Sequence, residues 1–259
     1  MTVQVRNNRR EGITYNYSNA GPRDNYSRRR SAIIPIRDTI PSSRFPAVNY
    51  MLIAGNVLVF FYQISLGDAL YPFVERYAVV PARLLGGGFP PARELLTPLT
   101  AMFLHGGWLH MLGNMLYLYI FGDNVEDTLG HGGYLAFYLG CGVASFVAQV
   151  LIQPASAVPN LGASGAIAGV LGGYFVRFPR ARIVTLLPLF VIFTLVEIPA
   201  VVFLGLWFLF QFLSGAASLG RAYAASGGVA WWAHIGGFVA GALVMAAAGR
   251  PGRRRRFPT

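Results

Sequence analysis

The feature that most restricts this chain is a succession of apolar runs, several of them as long as a bilayer is thick. They cover residues 46–66, 99–122, 134–152, 164–178, 183–214 and 231–248. A helix needs ~20 apolar residues to cross a hydrocarbon core of ~30 Å. The run at 183–214 is too long for one crossing, since at ~1.5 Å per residue its 32 residues reach ~48 Å. Pro188 and Pro199 break it, which predicts a span at about 196–217 and an interfacial piece before it. The run at 164–178 is short, and Pro179 closes it. Only 12% of the 259 residues are charged and mean hydropathy is +0.49, which excludes a disordered chain, a coiled coil or a basic nucleic-acid-binding tail. The expected fold is an all-α polytopic membrane protein, a six-transmembrane-helix bundle over residues 46–249. A flexible Arg-rich cytoplasmic tail is expected at 1–45 and a basic cytoplasmic tail at 250–259.

The charges orient the bundle. All 21 basic residues are Arg, against 10 acidic residues. Six spans put both ends on one side. With those ends in the cytoplasm, 17 Arg lie inside and four lie outside, namely Arg76, Arg83, Arg93 and Arg221. That is the positive-inside pattern of an integral membrane protein with both termini cytoplasmic, and it calls for no nucleic acid. The Arg253–Arg256 cluster is placed to meet anionic lipid of the bilayer. The lack of Lys excludes a Walker A loop, a pyridoxal Schiff base and a Ser/Lys hydrolase. A single cysteine, Cys141, excludes an internal disulfide and a Cys-based zinc site, and it reads as a small packing residue.

Polar groups inside spans are costly and call for a reason. Those in the apolar runs include Asn56, His105, His110, Asn114, Gln149, Ser164, Glu197, Gln211 and His234. His110 and Asn114, four apart, share a helix face. Ser164 opens the short fourth run within Gly162-Ala163-Ser164-Gly165, and His234 lies near the start of the sixth. The even-numbered spans all run from outside to inside, so His110, Ser164 and His234 occupy one layer toward the outer face. Gly165, Gly169, Gly172 and Gly173 on one span, and Gly237 and Gly241 on another, permit close backbone approach. Ser164 and His234 brought within hydrogen-bond reach form a nucleophile and its general base. His110, Asn114 and the Ser164 main-chain N–H are candidate oxyanion donors. No acid is placed to orient His234, so the expectation is a catalytic dyad. There is no His-Glu-x-x-His, no Asp pair within the spans, and His105 and His110 are badly spaced for a metal. No metal or cofactor is expected.

These residues resemble the rhomboid family of intramembrane serine proteases. The segment from Phe103 to Met115 looks like the family's His-x-x-x-Asn region, Gly162-Ala163-Ser164-Gly165 its nucleophile motif, Ala233 to Gly241 its catalytic-His helix, and Val125 to Gly130 its Glu-containing turn. The resemblance covers about residues 46–249. It implies serine-type cleavage of transmembrane segments near the outer membrane face, with single-span membrane proteins as substrates, Ser164 as nucleophile, His234 as base, and His110, Asn114 and the Ser164 amide as oxyanion hole. The simple six-span plan favours a bacterial plasma membrane.

The chain departs from the family pattern twice. Leu96-Thr97 stand by count where many members have Trp-Arg, which puts the anchoring of the first outer loop in question. Ala168 stands where several members place an aromatic under the histidine, so something else must hold His234. The rival reading is a rhomboid-like protein that binds membrane helices, or surveys their folding, without cutting. The presence of both Ser164 and His234 argues against it. A small transporter lacks any inverted repeat or charged path. Glu126 is expected to bond neighbouring helix ends at the inner face, His105 to be structural, Trp231 and Trp232 to anchor at the interface, and the Gly- and Ala-rich segment 218–230 to form a mobile cap.

Overall fold

Apolar helices dominate the computed structural model, which describes residues 2–8, 12–18, 34–85, 90–189, 192–219 and 229–249. In chain order these form β1 (Thr2–Asn8), β2 (Gly12–Ser18), β3 (Ile34–Asp38), α1 (Ala47–Ser65), α2 (Leu70–Tyr77), α3 (Pro81–Leu85), α4 (Ala92–Ala101), α5 (Trp108–Ile152), α6 (Ser164–Arg177), β4 (Arg182–Leu189), β5 (Ile192–Pro199), α7 (Ala200–Ala217) and α8 (Trp231–Ala247). Helices α1, α5 and α7 are long and apolar enough to cross a membrane. The outward face of α7 carries Leu206, Leu209, Phe210 and Leu213, all exposed. Such a surface suits acyl chains and not water.

Helix α5, 45 residues long, bends at Gly130, whose φ of +73° leaves the helical region. Only glycine adopts that conformation without steric cost, so α5 is two helical segments, 108–129 and 131–152. The first starts later than the apolar run suggests. Residues 92–101 form the separate helix α4, and a turn through His105-Gly106-Gly107 intervenes before Trp108. Adjacent glycines disfavour helix, so His105 lies in that turn and His110 in the first turn of α5.

Helix α6 lies at the centre, against α5 and α8. A Cβ on Gly237 would stand 2.0 Å from the Gly165 carbonyl oxygen, and one on Gly241 1.9 Å from that of Gly169. The two backbones therefore touch directly, as the small-residue pattern predicts. Buried Ala166, Ile167, Ala168, Val170, Leu171 and Tyr174 make α6 the heart of the core.

The end of the bundle where α1 begins is tied by polar contacts. Glu126 accepts hydrogen bonds from the main-chain N–H groups of Val48 (3.0 Å) and Asn49 (2.7 Å), and His131 meets the same carboxylate. Helix α1 begins after Pro46 with no side-chain cap of its own, so a residue from α5 satisfies its free N–H groups.

The fifth apolar run departs from expectation. Its first half, expected to be an interfacial piece, is the antiparallel hairpin β4–β5, and the helix that follows begins at Ala200 and not near 196. Ile183, Val184, Thr185, Ile192, Thr194, Val196 and Ile198 are β-branched, which favours strands over helix. Strand β3 pairs with β4, giving a three-stranded sheet ordered β3-β4-β5. The stretch expected to be tail thus contributes to the body from Ile34 onward. Asp38 accepts from Tyr174 (2.5 Å) and Asn124 (2.8 Å), and the Ser43 hydroxyl bonds Asp127 (2.8 Å). Nearer the N-terminus, β1 and β2 pair antiparallel from Thr2↔Ser18 to Asn8↔Gly12. The C-terminal tail expected at 250–259 lies outside the described residues.

Candidate functional site

Ser164 is the first residue of α6. The extended stretch before it is pinned at three points, so the helix starts from a defined place. Val79 and Asn160 exchange main-chain hydrogen bonds (2.9 and 2.7 Å), Ala82 N–H donates to the Ser156 carbonyl (3.0 Å), and Gly162 N–H donates to the Ala101 carbonyl (2.9 Å). Gly162 itself has φ of +125°.

His234 lies in the first turn of α8, whose N-terminus is held by Gln149 of α5 through a bond from Ala233 N–H to Gln149 Oε1 (3.2 Å). With α6 and α8 in backbone contact, His234 Nε2 comes to 2.8 Å from Ser164 Oγ. The histidine is buried and the serine half-buried.

Two other predicted residues approach from α5. Gly106 N–H donates to His110 Nδ1 (3.3 Å). That leaves the proton of a neutral His110 ring on Nε2. A Cβ on Gly162 would sit 2.8 Å from His110 Nε2 and 3.6 Å from Ser164 Oγ, so His110 and Ser164 flank the Gly162 backbone. Asn114, one turn further along α5, is buried, and its Nδ2 has no hydrogen-bond acceptor among the described residues. The arrangement therefore holds a hydroxyl against an imidazole, with donor groups beside it.

His105 packs edge-on to Phe60, and its main-chain N–H and C=O are both taken by the Gln63 side chain (2.9 and 3.2 Å). It is scaffold for the turn that leads to His110.

A profile of the rhomboid domain family matches residues 92–251, more than half of the chain and all of the site. The chain belongs to the rhomboid family. Among curated proteins it is 33% identical over 116 residues to the chloroplastic rhomboid-like protein 11 of Arabidopsis thaliana, covering 45% of this chain and 40% of that one. It is 33% identical over 128 residues to rhomboid protease GluP of Bacillus subtilis (strain 168), covering 49% of this chain and 24% of that one. It is 29% identical over 130 residues to the putative rhomboid protease YdcA of the same strain, covering 50% of this chain and 61% of that one. The matches thus span less than two thirds of each relative's own length.

In this rhomboid the surroundings of His234 come from α7. Gln211 Oε1 lies 2.7 Å from His234 Nδ1. One turn earlier, the Trp207 ring packs against the imidazole at 5.9 Å between centroids and stacks on Phe238 at 6.1 Å. Trp231 meets the imidazole edge-on, so the first of the two tryptophans expected at the interface packs on the site. Neither acidic candidate reaches His234, since Glu126 caps α1 and Glu197 is exposed on β5, 3.9 Å from Arg182. Trp207 escaped the sequence reading, although its spacing from Gln211, four residues on one helix, is a legible signal.

The segment between α1 and α5 has an anchor of its own. Buried Glu94 lies near Arg83 (3.7 Å) and Arg93 (3.3 Å), Arg83 also donates to the Glu75 carbonyl, and Thr97 is buried with its hydroxyl on the Glu94 carbonyl (2.7 Å). Most of the segment expected to act as a cap, 220–228, lies outside the described residues.

Proposed function

We propose that this chain is an intramembrane serine endopeptidase that hydrolyses a peptide bond in or beside the transmembrane segment of a single-span protein, near the outer membrane face. The observation that supports this most directly is the 2.8 Å approach of His234 Nε2 to Ser164 Oγ. Family membership agrees with it, and two of the relatives carry protease or putative protease in their names.

On this reading six helical segments cross the bilayer: α1, both halves of α5, α6, α7 and α8. Both termini are cytoplasmic, a reading that the Arg distribution supports, and a bacterial plasma membrane is the membrane we assign. Helix α6, with 14 residues, reaches only ~21 Å. Its first residue therefore lies below the outer surface, at the floor of a depression open to water.

Ser164 Oγ attacks the scissile carbonyl carbon while His234 Nε2 takes the hydroxyl proton. The carbonyl oxygen becomes an oxyanion held by the Asn114 amide, by His110 Nε2–H and by the Ser164 main-chain N–H, which has no intrahelical acceptor at a helix start. The C–N bond then breaks, and His234 returns the proton to the leaving amine. Water, deprotonated by the same imidazole, releases the new carboxyl end and restores Ser164. Each proton passes through His234, so the chemistry calls for no cofactor.

The test is cleavage of a single-span substrate in proteoliposomes by the wild type, Ser164→Ala and His234→Ala, with a fluorophosphonate probe in parallel. Fragments from the wild type alone, with labelling at Ser164, are expected. Substrate retention without fragments from any of the three proteins would establish the non-cleaving reading instead.

A further inference from the structure

We infer that Gln211 is the third member of the site: a positioning residue that fixes which ring nitrogen of His234 carries the proton. The inference rests on the reading of Ser164 and His234 as nucleophile and base. A neutral imidazole has one N–H and one lone pair, and only the lone pair can take a proton from serine. Which nitrogen keeps the hydrogen is set by the partner of the other one.

Here that partner is an amide oxygen. Gln211 Oε1, 2.7 Å from Nδ1, can only accept, so Nδ1 carries the hydrogen and the Nε2 lone pair faces Ser164 Oγ at 2.8 Å. The opposite amide orientation would aim an NH2 at Nδ1 and leave the proton on Nε2, where it blocks the base. Both Gln211 and His234 are buried, and a buried partner holds one geometry. When His234 becomes an imidazolium, the same amide oxygen accepts a charge-assisted hydrogen bond.

A neutral amide suits this place. A carboxylate here would have to be charged deep in an apolar helix pair, at a desolvation cost that an amide avoids. Nothing else on α5, α6, α7 or α8 supplies the function among the described residues. His110 is the other imidazole at the site, and its Nδ1 is occupied by Gly106. Glu126 and Glu197 are engaged away from it. Trp207, on the same face of α7, packs on the ring and limits its rotation. Arrangements with a neutral amide as third member occur in papain-like proteases as Cys-His-Asn.

The test combines two variants with a direct view of the tautomer. Gln211→Met keeps the length and removes the acceptor. Its kcat is expected to fall ~10–100-fold with KM within about twofold, short of the ~10²–10⁴-fold that general acid–base catalysis contributes in all. Gln211→Glu restores an acceptor and is expected to recover most of the rate. Its added charge favours the imidazolium, so the acid limb of the kcat profile moves to higher pH by ~1 unit, a change that a purely structural role would not produce. In histidine-¹⁵N-labelled wild type, His234 is expected as the Nδ1–H tautomer, with the Nε2–H form gaining population in Gln211→Met. A wild-type Nε2–H tautomer, or unchanged kcat, pH profile and ¹⁵N shifts in Gln211→Met, overturns the inference even where the enzyme cleaves normally. If Gln211→Met does not fold, the wild-type tautomer and the Gln211→Glu profile decide. If instead the wild type neither cleaves nor labels at Ser164, the protease reading fails, and the ¹⁵N spectrum still reports which nitrogen Gln211 holds.

Discussion

Gly162 stands between His110 and Ser164, and nothing larger fits there. A methyl group at this position would lie 2.8 Å from two His110 ring atoms, in a backbone conformation with φ of +125°. Gly162→Ala is therefore expected to push His110 and the start of α6 apart. A displacement of ~1 Å at a reacting centre costs ~10²-fold in rate, so fluorophosphonate labelling of Ser164 should slow by about that factor. Asn114→Ala removes a donor and leaves the helix intact. It is expected to lower kcat by ~10²–10³-fold with little change in KM, and a rate within threefold of wild type would remove Asn114 from the proposed oxyanion hole. At this scale much of the site was legible. His110, Asn114, Ser164 and His234 are polar residues at fixed offsets inside apolar runs, and a polar atom in a membrane helix needs a purpose. Gln211 belongs to the same class, but its partner lies 23 residues away on a different helix, and no local pattern encodes that pairing.

At the scale of elements, the contact between α6 and α8 carries the site. The Gly169 carbonyl would lie 1.9 Å from a Cβ on Gly241, and backbone cannot step aside as a side chain can. Gly241→Ala is expected to destabilise the protein by ~1–3 kcal/mol and to slow cleavage more than the loss of folded protein explains, because the Ser164–His234 distance grows. Thermal unfolding in detergent and cleavage rate per folded molecule separate the two effects. Glu126 offers a contrast. Glu126→Ala leaves the Val48 and Asn49 N–H groups without their acceptor, at ~1–3 kcal/mol for each buried group left unpaired. Its Tm should fall, while kcat at a permissive temperature stays near wild type, since Glu126 lies 16 residues along α5 from His110, about 24 Å at ~1.5 Å per residue. The glycine spacing announced the first contact and the acidic cluster after the second apolar run hinted at the second. The hairpin β4–β5 was not foreseen, because an apolar run rich in β-branched residues shows no strand pairing until a strand partner is known. That partner, β3, lies about 150 residues earlier in the chain.

At the scale of the whole molecule, the segment that precedes α1 is tied to α5 and α6 through Asp38 and Ser43. Burial raises the Asp38 carboxyl above its usual value of 3.8, an effect partly offset by the bond donated by Tyr174. Because the folded value exceeds the unfolded one, this group's contribution to stability is full below the ordinary Asp pKa and is lost as pH rises through the folded value. Asp38→Asn should remove that dependence. Both Tyr174 and Asn124 bond the same oxygen, Oδ2, so an asparagine oxygen can serve both, and Tm at pH 7 should equal or exceed wild type. Asp38→Ala, which leaves the buried Tyr174 hydroxyl unpaired, should cost ~1–3 kcal/mol. The two variants together distinguish the charge from the hydrogen bonds. On the proposed orientation, which places 17 Arg inside and four outside, reporter fusions at each end of the chain should both report a cytoplasmic location.

The amino-acid sequence by itself determined that this chain enters a membrane, roughly where its helices lie, and which few polar residues stand in them. Those properties are local: hydrophobic length, glycine spacing and the cost of a polar atom in lipid act over a few turns of one helix. The tertiary structure alone decided the surroundings of His234. Ala168 offers no aromatic support, and Trp207 and Gln211 of α7 supply the packing and the hydrogen bond instead. It also decided that β3, distant in sequence, completes the sheet and meets α5 and α6 through Asp38. Contacts of this kind arise only when separate helices pack, because the energy that selects them belongs to pairs of residues and not to any single stretch of chain.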